Sequence, residues 1–175
     1  MSSLEKISTV EVSSAVASVS LTGIDSDSVY MVVYSEVQPE SDAVKMEVRF
    51  LSSGSPNTSS NYAKAVRVIR SGSNWNIQGD SGQNRISSLD QGGTATGEQL
   101  AGTHFLFNFN DSSERSAMTI EGSASSSISE LNARAGGGVL MQDQANDGIQ
   151  YFFSSGNIAS GVFSLYKLKE WPINI

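Results

Sequence analysis

Residues 44–50 (VKMEVRF) put Val44, Met46, Val48 and Phe50 on one side of an extended chain and Lys45, Glu47 and Arg49 on the other. That is the period-two signature of a half-buried antiparallel strand. The alternation recurs at Phe105, Phe107 and Phe109, at Met118 and Ile120, and at Ile149, Tyr151 and Phe153, so each set is expected as a core-facing row. Residues 29–37 (VYMVVYSEV) are almost continuously apolar instead. Such a run fits a central strand covered on both faces or one lying in a subunit contact, and the pattern does not separate the two. The closing stretch, residues 147–168, holds two aromatic-rich strand patterns around a Ser/Gly/Asn loop. It mirrors the opening, where residues 16–22 and 29–37 flank GIDSDS. Strand patterns from end to end predict an all-β, antiparallel, jelly-roll-like β-sandwich in a single domain.

Between the apolar rows lie residues 52–61, 72–84, 90–102 and 122–138, dominated by Ser, Gly, Asn, Asp and Thr. These residue types favour turns, because Gly and Asn tolerate positive φ while Asp and Ser bond back to local backbone donors. Strand candidates at 75–77 and 85–89 interrupt them too often for a linker. Residues 125–134 are the best helix candidate, short and weakly amphipathic. The sandwich is expected to span residues 1–168, with 1–15 able to serve as an N-terminal arm and 169–175 forming an apolar tail. Trp171, Pro172, Ile173 and Ile175 of that tail need a home, either on their own domain or as assembly contacts on a neighbouring subunit.

Length and charge narrow the picture. At 175 residues the chain can bury enough surface for one core without staples, and it holds no cysteine for a disulfide, a thiol nucleophile or a thiolate metal site. A net charge of -7 with 11 scattered basic residues argues against a nucleic-acid partner, which needs a cationic patch. The longest apolar run falls far short of the ~20 residues of a spanning helix, so no membrane insertion is expected. The opening residues carry neither a basic leader nor an apolar core of a secretory signal. A role outside the cell is therefore expected to involve lysis, assembly into a particle, or export without a cleaved leader.

Candidate chemistry is sparse. Gly79-Asp80-Ser81-Gly82 has the lettering of a serine-protease nucleophile segment, but the only histidine, His104, follows Ser81, the reverse of that fold's order. His104 is expected at a polar edge. Asp25, Asp27 and their serines resemble the start of a calcium loop without the glycine and glutamate that complete one. Asp25, Asp42, Asp143 and Asp147 would bind a cation only by converging at one end of the sandwich. Glu98, Asp111, Glu114 and Glu121 are expected as solvated surface rather than a glycosidase pair. No catalytic residue, metal ligand or cofactor is expected. Trp75, between Asn74 and Asn76, is the one candidate glycan contact, as a stacking platform or else as a packed core residue.

Three stretches together resemble small virion proteins of tailed bacteriophages, especially those of marine bacteria. They are residues 18–26 (SVSLTGIDS) with 29–34 (VYMVVY), residues 97–102 (GEQLAG) with 105–109 (FLFNF), and Gly136 to Gly138 followed by residues 147–166. The resemblance implies a jelly-roll-like sandwich displayed on a phage particle, and residues 167–175 extend beyond where such chains end. It implies a structural, non-enzymatic role as a capsid decoration or cement subunit, or as a short tail or fibre component. Partners would be other virion proteins, with a homotrimer expected because phage surface parts are commonly three-fold. The alternative is a receptor-binding or carbohydrate-binding module that recognises host surface glycans.

Overall fold

The structure, a computed structural model, describes residues 3–125 and 130–169, with all of their side chains except those of Ser73 and Asn74. Thirteen strands are found among them: β1 (Ser3–Val12), β2 (Val19–Thr22), β3 (Tyr30–Pro39), β4 (Val44–Ser52), β5 (Ser55–Pro56), β6 (Tyr62–Arg70), β7 (Ser73–Gln83), β8 (Ile86–Gly92), β9 (Leu100–Phe107), β10 (Arg115–Ser125), β11 (Leu131–Asp143), β12 (Gly148–Phe153) and β13 (Ile158–Lys169). One sheet runs β1-β13-β3-β9-β10-β11-β6-β7, and the other runs β2-β12-β4-β5 with β8 also paired to β4. Every pairing is antiparallel. The two sheets pack as an antiparallel β-sandwich, as the alternation predicts.

The core lies between the sheets. Val44, Met46, Val48 and Phe50 of β4, Met118 and Ile120 of β10, and Ile149, Tyr151 and Phe153 of β12 all point into it, as their spacing predicts. Two aromatic groups organise it. Phe50 packs edge-on to Tyr62, with ring centroids 5.5 Å apart, and against Phe109 at 4.6 Å. Tyr34, His104, Tyr151 and Phe163 form the second, within which the His104 and Tyr151 rings stack at 5.7 Å. Such pairs add to the burial of the rings themselves.

Several expectations are corrected. Only Phe109 of the phenylalanine row is buried; on β9 the core side is His104 and Leu106, while Phe105 and Phe107 face outward. His104 is accordingly fully buried rather than at a polar edge. Residues 72–84 are mostly strand β7, and residues 122–138 are largely the paired ends of β10 and β11. Residues 131–134, the second half of the helix candidate, are strand; residues 126–129 fall outside the described residues. Of the stretch read as an arm, residues 3–12 form β1, paired along β13 from Ser3↔Lys169 to Val12↔Gly161.

Local chemistry explains why the glycines of β11 sit in a strand. A Cβ on Gly138 would meet the Ile86 side chain at 2.7 Å, and one on Gly136 would meet the Ala65 carbonyl oxygen at 2.2 Å. Their absence lets β8 and β6 approach β11 closely. Ser53 and Gly54, at φ of 50° and 73°, supply the two positive-φ positions of a tight two-residue hairpin between β4 and β5.

Candidate functional site

The eight-stranded sheet has one face in the core and one face turned away from it, and the outer face is built row by row from the strand register. One row runs Leu4, Leu168, Val29, Phe107, Ala117, Val139 and Ala63 from β1 towards β6. The next runs Tyr166, Met31, Phe105, Thr119, Gly137 and Ala65. Beyond it, Val33, Glu121, Ala135, Arg67 and Ile77 share the face, and further on Ala133, Ile69 and Trp75. Because side chains alternate across a strand, these are the partners of the inward Tyr30, Val32, Leu106, Met118 and Ile120.

This face is apolar and open. The exposed large hydrophobic residues among those described are Leu4, Ile69, Trp75, Ile77, Phe105, Leu131 and Met141, and the register puts all seven on it. Small residues on β10, β11 and β6 leave a shallow trough of about 460 Å³ lined by Ala63, Ala65, Ala117, Gly137 and Val139. Phe105, Phe107, Met31 and Tyr166 rise on one side of the trough; Ile69, Trp75 and Ile77 rise on the other. Trp75, 60% exposed, stands on β7 with the Arg67 guanidinium 4.9 Å from its ring centroid. It is therefore an outward residue of an edge strand and not a packed core tryptophan. Trp171, Pro172, Ile173 and Ile175 lie outside the described residues.

The ionisable candidates are separately engaged. The Asp25 carboxylate accepts hydrogen bonds from Lys167 Nζ at 2.9 Å and Tyr30 Oη at 2.8 Å, and the bonds from Lys167 and Tyr30 hold it down at about 2. Asp147 accepts from the Gly54 amide at 2.9 Å, and Asp143 pairs with Arg115 at 3.4 Å. Glu98 accepts from the Ala95 amide, Asp111 from Ser113, and Glu121 lies on the apolar face. Among the described residues, no three His, Asp or Glu side chains stand together as a metal-holding group. Ser81 is exposed at the far end of β7, while His104 is buried in the core, so the two do not meet.

The interior holds two polar arrangements that sequence reasoning missed. His104 Nδ1 lies 2.8 Å from Tyr151 Oη, its Nε2 has no partner, and complete desolvation holds the imidazole down at about 3. Burial likewise pushes the Tyr151 and Tyr34 hydroxyls up, so this cluster is neutral across the physiological range. Across the sandwich, the fully buried Arg134 of β11 pairs with Asp90 of β8 and donates to Gln78 Oε1 at 2.8 Å. Burial lowers the Arg134 pKa, and the Asp90 charge opposes that shift. Both arrangements tie sheet to sheet and face away from solvent. No protein-family model matches the chain, and no curated protein matches it.

Proposed function

We propose that the chain is a non-enzymatic structural protein of a tailed-phage virion, displayed on the particle surface as a capsid decoration or cement subunit or as a short tail or fibre component. The observation that carries this reading is the outer face of the eight-stranded sheet, where the seven exposed large hydrophobics among the described residues gather. Contiguous apolar surface of that kind marks a site of protein association. A part that works inside an assembly can carry such a face because the assembly covers it. The resemblance of residues 18–34, 97–109 and 136–166 to small virion proteins supplies the kind of assembly. In this reading the partners are other virion proteins and further copies of the chain itself.

Quantitative mass spectrometry of purified particles tests it. The chain is expected in particles at a fixed copy number, which follows the shell lattice for a decoration subunit and the symmetry of the tail for a tail part. Its presence only in the soluble fraction of the lysate would overturn the reading.

One observation favours a second reading, a module that recognises host surface glycans. Trp75 is an exposed aromatic platform with the Arg67 guanidinium beside its ring, an arrangement suited to stacking on a sugar ring. A glycan array with bacterial surface sugars, run on the wild type and on Trp75→Ala, separates the two. Binding lost in the variant supports recognition, and silence from both proteins leaves the structural role alone.

A further inference from the structure

We propose that the outer face of the eight-stranded sheet is a homodimer interface, in which a second copy packs face to face about a two-fold axis running along β10. The inference stands on the shape of this face and does not depend on the virion reading. In the rows of Phe107 and Phe105 the large residues stand on β9, β3 and β13 with smaller ones on β11, β6 and β7, whereas in the next two rows the large ones, Ile69, Trp75 and Ile77, stand on β6 and β7. In the sheet order, β9 and β11 flank β10, β3 and β6 lie one strand further out, and β13 and β7 one further still. A two-fold axis along β10 exchanges those pairs while keeping each row in place. Phe105 of one copy then faces Gly137 of the other, Phe107 faces Val139, Met31 faces Ala65, and Tyr166 faces Gly79. Phe105, Met31 and Tyr166 each meet a glycine or alanine and Phe107 meets a valine, the self-complementarity that an isologous contact requires.

Area agrees with shape. The seven strands that the axis pairs, β13 to β7, at about 4.8 Å spacing and four same-face rows about 6.7 Å apart make a surface roughly 34 Å by 27 Å. That is about the 800 Å² per partner of a stable interface. Because the face is a single sheet, a second sheet can cover it from β13 to β7, as the two layers of a sandwich cover each other. The one acid on the axis, Glu121, sits in the third of the four rows and would meet its own symmetry mate inside the contact, a like-charge cost that the apolar rows offset.

Sedimentation of the full-length chain across a concentration series provides the test, with four variants. The wild type is expected to reach a dimer in the micromolar range or tighter. Ala65→Glu places a carboxylate in the exposed trough opposite Met31 and is expected to weaken association about 100-fold, with an unchanged circular dichroism spectrum. Ala135→Glu, also at an exposed position, serves if the first variant fails to fold. Glu121→Gln removes the like-charge meeting on the axis and is expected to tighten the dimer at least about tenfold. The chain has no cysteine, so Ala117→Cys on β10 provides a unique thiol near the axis. A short bismaleimide is expected to link two such copies, and not two copies of Ser55→Cys on the other sheet. A monomer at all concentrations, a trimer or larger species, or a dimer indifferent to Ala65→Glu and Ala135→Glu would overturn the proposal. So would a full-length monomer that dimerises only after removal of residues 170–175, because the chain's own end would then be the occupant of the face.

Discussion

His104 is a histidine deprived of water and of one hydrogen bond, and its behaviour follows from that. With its pKa held at about 3 in the folded state against 6.5 when unfolded, it binds a proton more readily in the unfolded chain. Stability should therefore be independent of this group above about pH 6.5. It should fall by about 1.4 kcal/mol per pH unit between there and about pH 3. Urea titrations at pH 7 and pH 4.5 are expected to differ by about 2–3 kcal/mol more for the wild type than for His104→Gln. Equal differences would place the acid sensitivity elsewhere. The neighbouring tyrosines should respond in opposite ways. Tyr34 Oη has no partner, so Tyr34→Phe is expected to be neutral or to stabilise by about 1 kcal/mol. Tyr151→Phe strips His104 Nδ1 of its partner and is expected to destabilise by about 1–3 kcal/mol. Thermal melts of the pair check the contrast. None of this was legible in the sequence, where a lone histidine beside aromatics reads as an edge residue. The alternation of residues 104–107 tells which side chains share a face of β9 and says nothing about which face is covered.

Strands with a clean partner in the other sheet are the ones whose pattern reads correctly. In β4, β10 and β12 one face is buried and the alternation identifies it. β9 misleads because both of its faces are apolar, Leu106 inward and Phe105 and Phe107 outward. The two-sided character of residues 29–37 was the visible sign of this. Its outward Met31 and Val33 lie on the open face beside Phe105, so the sandwich core covers the run on its other face only. β7 and the distal parts of β10 and β11 were hidden for a different reason. β7 is an edge strand, and the distal parts of β10 and β11 turn the small or polar Ala124, Asn132 and Arg134 inward, so neither carries an apolar period. The pairing of eight strands in one sheet depends on long-range register, which no local window contains. Between elements, the Arg134–Asp90 pair joins β11 to β8 in the interior. Arg134→Met leaves Asp90 buried without its partner and is expected to cost about 3–5 kcal/mol, while Arg134→Met with Asp90→Leu recovers most of it. Equilibrium unfolding of both variants decides whether the pair acts as a unit.

At the scale of the whole molecule, the polar chemistry is turned inward or tied to near neighbours, and the apolar surplus is turned outward on one face. Asp25, Asp143 and Asp147 each have a local partner, His104 and Arg134 are sealed in the core, and Trp75, Ile77, Ile69 and Phe105 stand in the open. This distribution suits a part made to be covered by a partner. It also explains why the Trp75 reading and the assembly reading share a surface: Trp75→Ala should alter glycan signals in one case and self-association in the other.

Hydroxyl-radical footprinting over a dilution series measures that cover most directly, because it reads the solvent access of individual side chains. Met31, Phe105, Phe107 and Tyr166 are expected to be protected at high protein concentration and to become reactive together on dilution, while Phe152 on the other sheet stays constant. Equal labelling of the four at every concentration would contradict the account.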